Sequence, residues 1–298
     1  MIWLNQIVQG ILLGGYYALL ACGLSFMFGV MRIINLAHGS LAVLAAFLVL
    51  TVATQWGLSP FVALLIVIPL MAILGVLLQR GIIERSLRYG ELTPLLSTFG
   101  LAIVIDNLLF KGYGADTRSL GANIGDLAYA SWSIGNLAVG QLSLLTFVLA
   151  VALLGGLQLF LQRSRLGRAI RATAQDADTA ELVGIDSRAV YAAAAAIALV
   201  TVAIAGAFLG LRGTFDPYTG STQLIFAFEA VVIGGTGSLW GTLLGGIVLG
   251  VGQNLGAQVA PQGFLIGGHL VFLTVLAIRL YLSARERGPS RAPRRSAA

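Results

Sequence analysis

The chain has 298 residues, of which 58% are hydrophobic and only 10% are charged, and its mean hydropathy is +0.92. Soluble domains carry about a quarter charged residues, so this composition excludes a soluble globular protein. The formal net charge of +6 does not indicate nucleic-acid binding, because the basic residues cluster in a few hydrophilic breaks between apolar runs. The single cysteine, Cys22, excludes an internal disulfide. We predict an all-α, polytopic integral membrane protein.

The apolar runs are long enough to cross a membrane, since about 20 helical residues span about 30 Å of hydrocarbon. They predict nine crossings, or eight if the short segment 222–235 is re-entrant. The first run has no Lys or Arg before it and no cleavage site after it, which favours a span over a signal peptide. In chain order, the predicted helices lie near 5–29, 39–56, 60–79, 93–110, 140–161, 189–211, 222–235, 239–257 and 263–283.

Arginines concentrate in three hydrophilic segments, which are residues 80–92, residues 162–188 and the tail 285–298. Cytoplasmic loops carry an excess of basic residues, so all three segments are expected in the cytoplasm. Nine crossings satisfy this arrangement with the N-terminus outside and Arg32 at the cytoplasmic surface. We therefore predict one transmembrane domain over residues 1–284, followed by a disordered basic tail.

The long cytoplasmic segment "QRSRLGRAIRATAQDADTAELVGIDSR" contains good helix formers, and we predict one helix over 168–184. Mostly small residues recur on one face of it, at Ile170, Ala174, Ala177, Ala180 and Gly184. The other faces carry Arg168, Arg171, Asp176, Asp178 and Glu181. This pattern is equally consistent with a solvated surface helix and with a helix that docks into the groove of a partner.

No catalytic or nucleotide-binding motif is present in the sequence. The chain has two histidines, without the spacing of an HExxH motif, and no pair of Cys or His residues has metal-ligand spacing. The glycine turn "GGTGSLWG" lacks the lysine of a phosphate-binding loop, and its glycines are too widely spaced for a GxGxxG motif. If transport by this protein uses ATP, another chain must bind the nucleotide.

A few polar side chains interrupt the apolar runs. Asn35 and His38 lie in "IINLAHGS", between two long uncharged runs, and Glu229 is central in "LIFAFEAVVIGG". A carboxylate in a span costs about 2.5–3.5 kcal/mol on insertion scales, so Glu229 should have a partner or water. Functional and purely structural pairing of Glu229 remain equal alternatives. Thr98 offers a hydroxyl inside another span, although it can bond to its own helix.

Three motifs resemble one family. The segment "GRAIRATAQDADTAELVGID" resembles the coupling-helix loop of ATP-binding-cassette (ABC) importer permeases. Its Asp178-Thr179-Ala180, followed after three residues by Gly184, is similar to the pattern E-A-A-x-x-x-G, with Asp for Glu and Thr for Ala. The I-x-L-P tail of other permeases is missing. With "INLAHG" and "VVIGGTGSLWGTLLGG", the whole chain resembles permeases of branched-chain amino-acid importers.

The resemblance implies a permease subunit without its own ATPase site, in the bacterial cytoplasmic membrane. Its cargo would be a small amino-acid-like solute, most often a branched-chain amino acid. The implied partners are a second related permease, two ATP-binding subunits that hold ATP and Mg²⁺, and a periplasmic binding protein. No cofactor is expected in this chain itself.

Two sets of site residues follow as hypotheses. The resemblance and the cost of polar groups in lipid favour a substrate path formed by Asn35, His38, Thr98, Glu229, Gly234 and Gly235. The coupling-helix resemblance implies ATPase contacts at Arg168, Arg171, Asp178, Ala180 and Gly184. For the segment "IINLAHGS" between the first two predicted helices, the alternative is an ordinary interfacial turn capped by Asn35. A stand-alone transporter with Glu229 as proton carrier is the alternative function.

Overall fold

The computed structural model describes residues 2–90, 92–135, 137–260 and 262–286, and most of them are helical. In chain order the α-helices are α1 (Ile2–Met31), α2 (His38–Trp56), α3 (Pro60–Leu78), α4 (Glu84–Leu87), α5 (Thr93–Tyr113), α6 (Gln141–Arg163), α7 (Arg165–Gln175), α8 (Ala177–Leu182), α9 (Ser187–Arg212), α10 (Thr219–Gly234), α11 (Leu239–Val259) and α12 (Gly263–Glu286). A π-helical turn, Gln79–Ile83, joins α3 to α4. The predicted all-α class is confirmed, and the predicted spans match these helices to within a few residues.

A small β-hairpin, which the sequence analysis did not predict, precedes α6. Its strands are β1 (Ser131–Ile134) and β2 (Leu137–Gly140), paired antiparallel. Gly135 lies in the turn between them with a φ of 63°, a left-handed conformation that glycine adopts without strain. Gln9 of α1 donates a hydrogen bond to the carbonyl of Ala138. The hairpin therefore lies at the same end of the bundle as the start of α1, which is the predicted outer end.

Within the described residues, seven helices are long and apolar enough to cross a membrane, namely α1, α2, α3 with its extension to Leu87, α5, α6, α9 and α12. The pair α10–α11 is an eighth candidate, and it bends by 115° at the break between Gly234 and Leu239. Because this bend exceeds a right angle, the chain reverses direction between the two helices. The 16 residues of α10 make it about 24 Å long, shorter than the hydrocarbon core. These seven helices and the bent pair agree with the prediction of about eight to nine spans that include a broken or re-entrant segment.

The first two arginine-rich segments, residues 80–92 and 162–188, lie at one end of the bundle, as predicted. An ion pair of 3.4 Å between Arg188 and Glu84 joins the second segment to the first. One cavity is lined by Gly29 near the end of α1, Arg171 of α7 and Gly237 in the turn after α10. All of these elements therefore share an end, and the excess of arginine identifies it as the cytoplasmic end.

α1 lies at the centre of the bundle and packs along α11 through glycines. In its apolar stretch 83% of the residues are buried, against 6% for the peripheral α12. A Cβ on Gly14 would overlap the backbone of Ile247, and one on Gly250 would overlap that of Gly10. The spacing of Gly10 and Gly14, and of Gly246 and Gly250, thus serves close helix approach. We call these four residues the glycine seam.

The C-terminal boundary differs from the prediction. α12 continues to Glu286, so Arg285 and Glu286, the first two residues of the predicted disordered tail, are helical. A basic residue in the last turn of a helix interacts favourably with the helix dipole, which is consistent with this extension. Residues 287–298 lie outside the described residues.

Candidate translocation site

The chain reverses after α1 and starts α2 deep inside the bundle. Arg32 turns the chain with a left-handed φ of 55°. Six residues later, the Nε2 atom of His38 lies 2.8 Å from the carbonyl oxygen of Leu20. Leu20 precedes the end of α1 by about 16 Å, at 1.5 Å per residue. Residues 33–37 therefore run as non-helical backbone from the end of α1 to this depth, and such backbone occurs where it is buried in protein or lines a cavity.

Side chains satisfy the backbone of this break. Asn35 accepts a hydrogen bond from the backbone N–H of Ala37 (3.0 Å), and Thr98 of α5 accepts one from that of Leu36 (3.1 Å). Asn35 therefore caps a turn, but this turn is buried and not interfacial. Thr98 also donates to the carbonyl of Pro94 in its own helix (2.8 Å). The structure thus brings together Asn35 and Thr98, two of the predicted path residues, around one break.

The short helix α10 begins where α2 begins. A Cβ on Gly39 would collide with the carbonyl oxygen of Gly220, so the first turns of α2 and α10 touch at backbone distance. The ring of His38 instead lies against Gly23 of α1. Two interrupted segments therefore meet inside the bundle, as in transporters whose substrate sites are built from discontinuous helices.

Glu229 of α10 has a specific partner. Its Oε1 atom lies 2.5 Å from Nδ1 of His269 on α12. Glu229 is 3% exposed, whereas the His269 side chain is 46% exposed. The Oε2 atom of Glu229 is buried without a hydrogen-bond partner among the described residues. The expectation that Glu229 needs a partner is confirmed, although the partner was not identified from the sequence.

Glu229 lines a cavity of about 370 Å³, which we call the Glu229 cavity. The other residues that line it are Ile34, Leu36, Leu95, Leu224, Ile225, Phe228 and Phe272. These come from the break after α1 and from α5, α10 and α12. The cavity therefore combines apolar walls with a single carboxylate beside the interrupted helices.

The remaining predicted path residues lie elsewhere. Gly234 packs against Gly241, and Gly235 adopts a φ of 96° in the turn between α10 and α11. Arg279 of α12 donates a hydrogen bond to the carbonyl of Ile233 beside this turn (2.8 Å). Gly234 and Gly235 therefore belong to the cytoplasmic turn and not to the Glu229 cavity. No hydrogen bond between described residues joins His38 to Glu229.

A second buried polar group was missed by sequence reasoning. Tyr16 donates a hydrogen bond to Gln223 (2.8 Å), and Tyr17 donates one to Gln253 (2.5 Å). The guanidinium of Arg212 lies 5.1 Å from the centre of the Tyr16 ring. The two hydrogen bonds join residues that are more than 200 positions apart in the chain. The only sequence signal for them is the presence of amide side chains inside apolar helices.

The predicted single helix over 168–184 is wrong. The chain forms α7 and α8 instead, separated at Asp176, whose backbone is extended. The Asp176 carboxylate accepts hydrogen bonds from the N–H (3.1 Å) and the hydroxyl (2.5 Å) of Thr179, and so caps the start of α8. These hydrogen bonds also lower the pKa of Asp176. A strong capping residue therefore overrides the helix-forming composition around it.

Two residues of the small-residue face, Ile170 and Ala180, point inward, whereas Gly184 on the same face is exposed. Ile170 and Ala180 are 1% and 3% exposed, so they hold α7 and α8 against their own chain. The outward surface instead includes Leu182 and Val183, which are 86% and 74% exposed. The other predicted coupling residues are exposed at Arg168, Arg171, Asp178 and Gly184. Ala180 is thus the predicted contact residue that is not accessible to a partner.

Comparisons with known proteins identify the family of the chain. The family model for the permease component of branched-chain amino acid transport systems matches residues 6–278. The chain belongs to this permease family. The permease is 33% identical over 271 residues to the high-affinity branched-chain amino acid transport system permease protein BraD of Pseudomonas aeruginosa, covering 86% of this chain and 87% of BraD.

Two further relatives carry related names. The permease is 30% identical to the high-affinity branched-chain amino acid transport system permease protein LivH of Salmonella typhimurium, covering 93% of this chain and 94% of that protein. It is 26% identical to the probable branched-chain amino acid transport permease protein LivH of Methanocaldococcus jannaschii, covering 94% and 90% of the two chains. No solved structure gave a significant match.

Family membership confirms the resemblance seen in the sequence and the multi-pass location in the cytoplasmic membrane. The permease is a component of a transport system and not a stand-alone protein. The alternative of a proton-coupled secondary transporter is therefore not supported.

Proposed function

We propose that this permease moves branched-chain amino acids into the cytoplasm as one transmembrane subunit of an ABC importer. The observation that carries the proposal is the Glu229 cavity, in which apolar walls and one carboxylate adjoin two interrupted helices. The apolar walls suit the aliphatic side chain of leucine, isoleucine or valine. In this proposal the path also includes Asn35, His38 and Thr98 around the break after α1.

A second, related permease subunit covers the open side of this path in the complete importer. The His269 side chain is half exposed in the first half of the peripheral span α12. A polar ring against lipid hydrocarbon is unfavourable, whereas a protein interface or an aqueous path accommodates it. Leu96 and Phe99 of α5 and Leu273 of α12 are exposed nearby on the elements that border the cavity. This face thus offers both an apolar surface and a polar centre to a second subunit.

Two ATP-binding subunits supply the energy through the α7–α8 segment, and they hold ATP and Mg²⁺. The exposed Leu182 and Val183 form the apolar centre of the docking surface, with Arg168, Arg171, Asp178 and Gly184 around it. The buried Ala180 has a different role, because its carbonyl accepts a hydrogen bond from Ile185 (3.1 Å) just before α9. Ala180 therefore transmits movement of α8 to α9, while a periplasmic binding protein delivers the solute outside.

The docking surface can be tested by co-purification of the ATP-binding subunits. Replacing Leu182 and Val183 with arginine should abolish co-purification, because two charges would replace the apolar centre. Tyr89→Arg is the matched control, since Tyr89 is 82% exposed on the other cytoplasmic loop. Normal capture of the ATP-binding subunits by the double variant would contradict the assignment.

Transport by the complete importer in lipid vesicles tests the function itself. ATP inside the vesicles, with the binding protein outside, should drive uptake of radiolabelled leucine, and a proton gradient alone should not. Leucine uptake driven by a proton gradient, or no uptake of any branched-chain amino acid by an assembled and ATP-hydrolysing complex, would refute the proposal.

A further inference from the structure

The Glu229 carboxylate has capacity for one more ligand. His269 satisfies Oε1, while Oε2 is buried with no hydrogen-bond partner among the described residues. A buried acceptor without a donor is costly, and an ionised one more so. Among the described residues, Glu229 is the one that contributes a carboxylate to the lining of the Glu229 cavity. The unsatisfied oxygen therefore favours a ligand that brings its own donors and a positive charge.

The geometry points to Glu229 as the binding site for the protonated α-amine of the transported solute, with the surrounding apolar side chains holding its branched carbon chain. This inference rests on the proposed function and deepens it, because it names the chemical group that the permease recognises. A primary ammonium has three donors and no acceptor, which complements a carboxylate oxygen. Charge-assisted hydrogen bonds of this type are also the strong ones.

The walls of the cavity restrict the class of cation. A metal ion such as Ca²⁺ needs six to eight oxygen ligands, and Mg²⁺ needs six, whereas the cavity lining supplies one carboxylate. Leu36, Leu224 and Phe272 instead offer aliphatic and aromatic surface, which suits the carbon chain of an aliphatic amine. The ring of Phe228 adds a face on which a cation is attracted. An aliphatic primary amine matches all of these features together.

His269 is a positioning residue in this arrangement. Its Nδ1 atom holds Oε1, which leaves Oε2 as the free ligand atom. A His269→Gln variant keeps a donor but removes the ring that can carry a positive charge. We expect this variant to bind amines about as tightly as the wild type, because the glutamine amide can still donate to Oε1 and leave Oε2 for the amine.

The experiment uses the complete importer without its binding protein, in nanodiscs of zwitterionic lipid. Two probes, each of which lacks one charged group of leucine, are titrated by calorimetry. Isopentylamine lacks the carboxylate, and 4-methylpentanoate lacks the amine. Isopentylamine should bind saturably to the wild type, and Glu229→Gln should weaken this binding by at least about tenfold. Asp106→Asn, which removes an intramembrane carboxylate from α5 outside the cavity lining, should leave it unchanged. Glu229→Asp retains the charge and should retain binding if the complex tolerates the shorter side chain.

Three outcomes would overturn the inference. These are no saturable amine binding to the wild type, equal amine binding to wild type and Glu229→Gln, and stronger binding of 4-methylpentanoate than of the amine. In the first case a water molecule, and not an amine, completes the Glu229 site. ATP-driven leucine uptake by the wild type is measured in parallel. Uptake without amine binding refutes the inference alone, and amine binding without uptake of any branched-chain amino acid refutes the proposed function alone.

Discussion

The glycine seam and the Glu229 cavity both involve helices that pack against α11, namely α1 at the seam and α10 and α12 at the cavity, yet the helices meet in opposite ways. At the seam, α1 and α11 touch at backbone distance, because Gly14 and Gly250 present no side chains. Around the cavity, Phe228, Leu224 and Phe272 space the elements apart and leave about 370 Å³ between them. The difference teaches that glycine placement decides which helix pairs form a fixed support and which pairs enclose space.

Crosslinking gives the sharpest test of this difference. In a Cys22→Ser background, cysteines replacing Gln6 and Gln258 would join α1 to α11, where the two amides are 2.9 Å apart. Cysteines replacing Leu224 and Phe272 would join α10 to α12 across the cavity. With one bifunctional thiol reagent, the first pair should retain most leucine uptake and the second should lose it, because only the cavity has to change shape during transport. Loss of uptake in both pairs would contradict a fixed seam, and reductive cleavage should restore the second pair.

The next largest effect is expected at the seam itself. Gly14→Leu would place a side chain into the backbone of Ile247, which has no room to move away. Overpacking typically costs about 1–3 kcal/mol, and a clash with backbone should exceed this range. The fraction of monodisperse permease after detergent extraction, and its thermal unfolding, should both fall. Gly156→Leu is the control, since a Cβ at Gly156 meets nothing within 4 Å. Equal behaviour of the two variants would refute the seam.

Filling the cavity should affect transport more than folding. Leu224→Trp would occupy part of the cavity volume and should lower leucine uptake by about tenfold, equivalent to about 1.4 kcal/mol. Thermal unfolding and basal ATP hydrolysis should stay near wild type, because the added ring enters existing space. Leu159→Trp on α6 serves as control, as Leu159 is 49% exposed. An unfolding midpoint that falls as far as that of Gly14→Leu would show that the cavity is not available space.

The smallest effect is expected at Tyr17, which lies between the glycine seam and α10. Tyr17 of α1 donates to Gln253 of α11 near the seam, and its ring lies 5.3 Å from that of Phe226 on α10. Tyr17→Phe keeps the ring and removes one buried hydrogen bond, which should cost ~1 kcal/mol of stability. Tyr281→Phe, at a position 68% exposed, should cost nothing. A large loss of uptake by Tyr17→Phe with unchanged stability would place Tyr17 in the path instead.

Much of the fold could be predicted from the sequence, because long uncharged runs have few alternatives to membrane helices. The shared side of residues 80–92 and 162–188 followed from a local pattern too, namely their excess of arginine. The site was predicted less completely. The insertion cost of Glu229 indicated a partner, but His269 lies 40 positions later, and nothing local connects the two. The break at Asp176 was missed because one capping carboxylate outweighed a helix-forming composition.

The central position of α1 has a consequence for biosynthesis. α1 leaves the ribosome about 200 residues before α11, the helix that covers its glycines. At typical synthesis rates of about 5–20 residues per second, α1 waits roughly 10–40 s for this partner. During that interval its small and polar residues, including Tyr16 and Tyr17, must be shielded by lipid, by other spans or by the insertion machinery. The centre of the permease is thus completed late. The folded state depends on an early helix, α1, that stays without its packing partner until most of the chain has been inserted.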